Sequence, residues 1–110
     1  MGRRLAAEAL GTFFLVFAGC GSIMVSQRFA GSNPSFAVPL IFGLAVAAMI
    51  YAVGHISGAH FNPVVTACMA ASRDITPRDA AAYALAQILG GLAGAVLANA
   101  MFDLGAITWA

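Results

Sequence analysis

Long apolar runs, broken at a few polar points, set the plan of this chain. From Ala9 to Gln27 no residue carries a charge, a run of 19 positions. That is close to the ~20 residues that cross ~30 Å of hydrocarbon. Extended back to about Leu5, the run predicts a first membrane helix over about 5–26. Gln27-Arg28-Phe29-Ala30-Gly31-Ser32-Asn33-Pro34 is turn chemistry and reads as a loop. Phe29 to Ser72 then lacks Asp, Glu, Lys and Arg for 44 residues. This is too long for one crossing and too short for two with their connections. A second helix takes about 36–54, with Pro39 in its first turn, and leaves 55–72 over. Arg73-Asp74-Ile75-Thr76-Pro77-Arg78-Asp79 is a polar turn, with Thr76 as a helix cap and Pro77 at the first helical position. A third helix follows over about 77–102, with 23 uncharged residues from Ala80 to Phe102, and Asp103-Leu104-Gly105 ends it.

The leftover stretch, 55–72, is where the pattern changes character. Asn62-Pro63 reads as a helix start, Asn as the cap and Pro where its missing N–H costs nothing. Ser57-Gly58-Ala59-His60-Phe61 has no periodicity and reads as extended backbone. A helix from Pro63 to about Ala71 is nine residues, roughly 14 Å at 1.5 Å per residue, or half a bilayer core. An apolar helix of half length, preceded by irregular backbone and followed by Arg73-Asp74, reads as re-entrant. It dips into the membrane and returns to the same side. Irregular backbone at membrane depth is tolerated where it is buried in protein or lines a water-filled cavity. The competing reading is a surface loop with a short amphipathic helix, but Pro63-Val64-Val65-Thr66-Ala67-Cys68-Met69-Ala70-Ala71 has no charged face to lie in headgroups.

Composition makes the membrane the solvent. The 110 residues are 62% hydrophobic and 8% charged, with mean hydropathy +0.93, against about 25% charged in a soluble domain. The fold class expected is all-α, with three transmembrane helices and one re-entrant half-helix. All five basic residues are arginines, and net charge is +1, so no basic patch for nucleic acid exists. Arg3, Arg4, Arg73 and Arg78 fall on one side of the predicted topology and Arg28 on the other, which places the N-terminus in the cytoplasm. Arg3-Arg4 before an apolar run also has the look of a secretory signal, with Phe17-Ala18-Gly19-Cys20 as a lipoprotein-like box; Glu8 inside the run and the further membrane segments argue against it. Cys20 and Cys68 sit in apolar runs and read as buried thiols.

The polar residues within the helices are few. Glu8 reads either as a helix-end carboxylate paired with Arg4 one turn earlier, or as an inward acceptor for backbone N–H groups of the re-entrant loop. Gln87 reads as a hydrogen-bonding residue inside the bundle. Ala82, Ala86, Gly90, Gly94 and Ala98 form a stripe at four-residue spacing that permits close helix approach. Ala7 with Gly11 and Gly43 with Ala47 are shorter stripes of the same kind. His55 and His60 lack Cys or carboxylate company for a metal. There is no Ser/His/Asp or Cys/His constellation and no phosphate-binding glycine loop, so neither an enzyme nor a cofactor is expected.

Ser57-Gly58-Ala59-His60-Phe61-Asn62-Pro63-Val64-Val65-Thr66 resembles the first signature of the major intrinsic proteins, the aquaporin and glycerol-channel family, usually written S-G-A-H-x-N-P-A-V-T. Ala7-Glu8-x-x-Gly11-Thr12-Phe13 is similar to the family's first-helix signature, and Ala86-Gln87 through Gly94 to its third helix. The family consists of two inverted repeats, and this chain resembles only the first, 1–110. It is therefore expected to be an N-terminal half, with the second repeat and its Arg-bearing motif absent.

The resemblance implies a passive channel for water or small neutral solutes, glycerol-like or metalloid hydroxide included. It implies an integral, multi-pass protein of the plasma or inner membrane and a homotetramer at full length. It assigns Asn62 at the midplane as amide donor to a passing oxygen, with Pro63 and Val64 at the half-helix tip. The carbonyls of Gly58, Ala59 and His60 become a ladder of acceptors, and Phe42 an aromatic selectivity residue. Glu8 and Gln87 become supports for the pore loop. Val64 departs from the family's Ala, and is expected to change solute choice more than fold. Two other classes compete. A different broken-helix transporter would pass ion or proton current, and a non-conducting truncated membrane protein would lack a second Asn-Pro-x-Arg motif downstream.

Overall fold

A computed structural model describes residues 1–29 and 34–102. It contains α1 (Gly2–Arg28), α2 (Ala37–Ser57), α3 (Pro63–Ala71) and α4 (Pro77–Phe102), and the described residues hold no strand. Helices α1, α2 and α4 are each long and apolar enough to cross a membrane. The fold class is thus all-α, three membrane-length helices and one short one. Residues 30–33 of the loop expected over Gln27–Pro34, and the helix end expected at Asp103-Leu104-Gly105, lie outside the described residues.

Helix α1 begins before its apolar run. Arg3 and Arg4 exclude those turns from lipid, but arginine and alanine are good helix formers, so the backbone is helical from Gly2. Helix α2 runs through His55, Ile56 and Ser57 and stops at Gly58, whose φ of 90° is the left-handed cap that glycine adopts at no steric cost. The Gly58 amide closes the helix on the Gly54 carbonyl at 2.9 Å.

The backbone after α2 is not extended, which corrects the sequence expectation. Ala59 at φ 57° and Phe61 at φ 55° join Gly58 in the left-handed region. A non-glycine residue there costs roughly 1–2 kcal/mol, so something must hold this segment in place. At Asn62 the chain is extended (φ −158°, ψ 128°), and the Asn62 Oδ1 accepts from the Val64 amide at 2.8 Å. Pro63 follows as the first residue of α3. The nine-residue helix ends at Ser72, and Arg73 turns the chain at φ 66°. Thr76 then caps α4, its Oγ1 accepting from the Asp79 amide at 3.1 Å.

Helix α1 is the centre of the bundle, packed against α2 on one side and α4 on the other, and α3 lies against α4. Closeness between α1 and α4 rests on glycine. A Cβ on Gly90 would collide with the Ala9 carbonyl, and one on Gly94 with the Phe13 carbonyl. Ala98 continues the stripe, fully buried. The α2 stripe has no such role within this chain: Gly43 faces open space and Ala47 is exposed, while α2 packs through Ala45, Met49 and Val53. The cysteines are both free, Cys20 partly buried and Cys68 exposed. Burial of Cys68 was the wrong expectation, because α3 buries Thr66 and turns Cys68 outward.

Candidate functional site

The loop between α2 and α3 closes around Glu8. This carboxylate is fully buried and receives four hydrogen bonds. Its Oε2 accepts from the Ser57 hydroxyl at 2.6 Å and the His60 amide at 3.1 Å. Its Oε1 accepts from the Phe61 amide at 2.8 Å and Gln87 Nε2 at 2.7 Å. Two of these donors are backbone groups that the left-handed conformation of Ala59 and Phe61 turns toward α1. The local strain and the buried carboxylate therefore explain each other: the loop adopts a costly shape, and the shape supplies partners that a carboxylate away from water requires. Arg4 does not pair with Glu8. Its guanidinium lies 3.7 Å from Asp79 Oδ2, and its Nε donates to the Tyr83 hydroxyl at 2.9 Å.

Gln87 extends the network to the half-helix. Its Nε2 also donates to Thr66 Oγ1 at 2.9 Å, so both amide hydrogens are engaged. The Thr66 hydroxyl also lies 2.9 Å from His60 Nδ1, a pair in which the imidazole tautomer decides which side donates. The Ser57 hydroxyl oxygen accepts from the Ala59 amide at 3.1 Å. Phe61 anchors the loop from its apolar side. It is buried with Ala7, Met49 and Val53, its ring against Gly11, where any side chain would collide with it.

What this arrangement leaves exposed is Gly58 and the start of α3. Gly58 is exposed, and Ala59 and His60 are partly so. Among the described residues no group donates to their carbonyls. Asn62, Pro63 and Val64 are exposed at the start of α3, Val64 at 68%. Since Asn62 Oδ1 is committed to the cap, the amide Nδ2 is the group left to donate elsewhere. Phe42 lies apart, fifteen residues before the end of α2, or roughly 22 Å along its axis. Its ring fills the notch at Gly19 of α1.

Four participants escaped the sequence reading, Ser57, Phe61, Thr66 and Tyr83, while Arg4, expected beside Glu8, serves Tyr83 and Asp79 instead. Tyr83 carried a usable signal, since it precedes Gln87 by four and shares its helix face. A polar pair at that spacing in an apolar helix marks one hydrogen-bonding face.

Three membrane-length helices and a half-length helix packed on one of them, the loop before it tied to a buried carboxylate, define an integral multi-pass membrane protein. The family model described as major intrinsic protein matches residues 1–106. The chain belongs to that family. It is 47% identical over 100 residues to Aquaporin NIP1-1 of Oryza sativa subsp. japonica, covering 91% of this chain and 35% of that protein. It is 52% identical over 97 residues to Aquaporin Z of Photorhabdus laumondii, covering 86% and 42%, and 41% identical over 90 residues to Nodulin-26 of Glycine max, covering 82% and 33%. The chain thus spans roughly a third to two-fifths of the length of these curated relatives.

Proposed function

We propose that this chain forms the first half of a passive channel for water or small neutral solutes. The observation that carries the reading is the Glu8 network, which spends a buried carboxylate and two strained residues on holding an irregular loop. Such an outlay is reasonable where the loop's carbonyls serve a passing molecule. In this reading the carbonyls of Gly58, Ala59 and His60 accept hydrogen bonds from single-file solute, and Asn62 Nδ2 donates to its oxygen. The start of α3, with Pro63 and Val64, presents positive dipole potential that opposes cations and protons. Phe42 narrows the passage at a second level, and Glu8 with Gln87 fixes the loop. Val64 in place of Ala adjusts which solute passes. The names of the relatives, aquaporins among them, support the channel class.

The arginine distribution supports a cytoplasmic N-terminus in the plasma or inner membrane, and the family resemblance a homotetramer. The test is flux through the full-length protein in proteoliposomes. Water or glycerol flux without ion current is expected, and Asn62→Ala, which also removes the cap of α3, is expected to lower flux or folding yield. Ion or proton current, or wild-type flux in a well-expressed Asn62→Ala variant, contradicts the reading.

A further inference from the structure

We infer that Tyr83 and Arg4 form a second clamp on the pore loop, independent of Glu8, and that Tyr83 is a positioning residue for conduction. The inference rests on the channel reading above. The last carbonyls of a helix have no partner within it. At the end of α2 the Ser57 carbonyl is met by the Tyr83 hydroxyl, which donates to it at 2.7 Å from α4. Tyr83 is fully buried, so its hydroxyl has no water to turn to. Arg4 Nε donates to the same hydroxyl oxygen from α1 at 2.9 Å. This contact uses the oxygen as acceptor and leaves its hydrogen for Ser57.

The direction of the phenol is fixed twice more. The Arg4 guanidinium carbon lies 5.2 Å from the centre of the Tyr83 ring, within reach of a cation–π contact. Asp79, one turn before Tyr83 on α4, holds the far end of that guanidinium at 3.7 Å. The Tyr83 ring is also 5.1 Å from the His60 ring.

Ser57 is therefore gripped at both polar ends, its hydroxyl by Glu8 and its carbonyl by Tyr83. Ser57 is the residue immediately before the three whose carbonyls serve solute in the channel reading. A peptide unit is planar, so fixing the Ser57 carbonyl fixes the plane from which Gly58 departs. Glu8 sets the depth of the loop through its amides, and Tyr83 sets the rotation at which the carbonyl series begins. Tyr83 itself is buried and touches no solute, so its effect on flux passes through Ser57.

The test uses the full-length protein with Tyr83→Phe, which keeps the ring under Arg4 and removes only the hydroxyl. Hydrogen exchange at the amides of 58–61 reads the clamp directly, and water flux per folded channel reads conduction. The expected result is exchange about fivefold faster at 58–61 and a fall of similar size in flux per channel, with the steeper temperature dependence of a less ordered path, as loss of one hydrogen bond implies. Arg4→Lys keeps the charge beside Asp79 but lacks the Nε donor, and is expected to fall between; it carries the same test should Tyr83→Phe fail to assemble. Unchanged exchange and unchanged flux in both variants overturn the clamp. A wild-type protein passing neither water nor glycerol overturns the channel reading instead, and the two failures are distinguishable because exchange is measured without conduction.

Discussion

At the scale of single residues, the site is a balance between strain and satisfaction. Ala59 and Phe61 occupy left-handed backbone at φ 57° and 55°, and Glu8 compensates by accepting their neighbourhood's amides at 2.8 and 3.1 Å. Glu8→Gln isolates this balance, because it keeps the volume and replaces one acceptor oxygen with an NH2 that only donates. Two of the four bonds then lose their acceptor. The expected loss is on the order of 3 kcal/mol, seen as a clear drop in the thermal unfolding midpoint of purified protein; an unchanged midpoint contradicts the assignment. Legibility at this scale follows sequence distance. The Asn62-Pro63 cap was readable because its partner, Val64, is two residues away. Tyr83 with Ser57, and Gln87 with Glu8, are separated by 26 and 79 positions, and nothing local in the chain announces such pairs. The motif resemblance pointed to Glu8 and Gln87, while Ser57, Thr66 and Tyr83 needed coordinates.

At the scale of elements, hydrophobic run length was a sound guide to how many helices form and a poorer one to where they stop. Charge keeps Arg3 and Arg4 out of lipid without keeping them out of α1, and α2 continues past Gly54 because Gly58 is the glycine that turns left-handed. The small-residue stripe of α4 acts where a second helix backbone reaches it. Gly90→Val drives a side chain into the Ala9 carbonyl, and overpacking against rigid backbone typically costs 1–3 kcal/mol, occasionally more. Loss of the monodisperse peak in size-exclusion chromatography is expected for Gly90→Val. Gly43→Val, placed in open space, is expected to behave as wild type. Equal behaviour of the two variants contradicts the packing account.

At the scale of the molecule, the described part is 45 Å in its longest direction, longer than a hydrocarbon core of ~30 Å. Large apolar side chains such as Leu44, Leu85 and Leu92 are about 60% exposed, as suits a surface that meets lipid or further protein rather than water. The largest cluster of buried polar side chains among the described residues lies where α1, the end of α2, α3 and α4 meet through Glu8, Ser57, Thr66 and Gln87. Everything proposed for function depends on the neighbouring half-helix tip facing a solute path. Val64, 68% exposed at that tip, offers the most direct test. In the full-length protein with its native cysteines replaced, Val64→Cys is expected to conduct water until a small methanethiosulfonate reagent modifies the thiol, and then to stop. Complete modification of the thiol with flux unchanged would contradict the account.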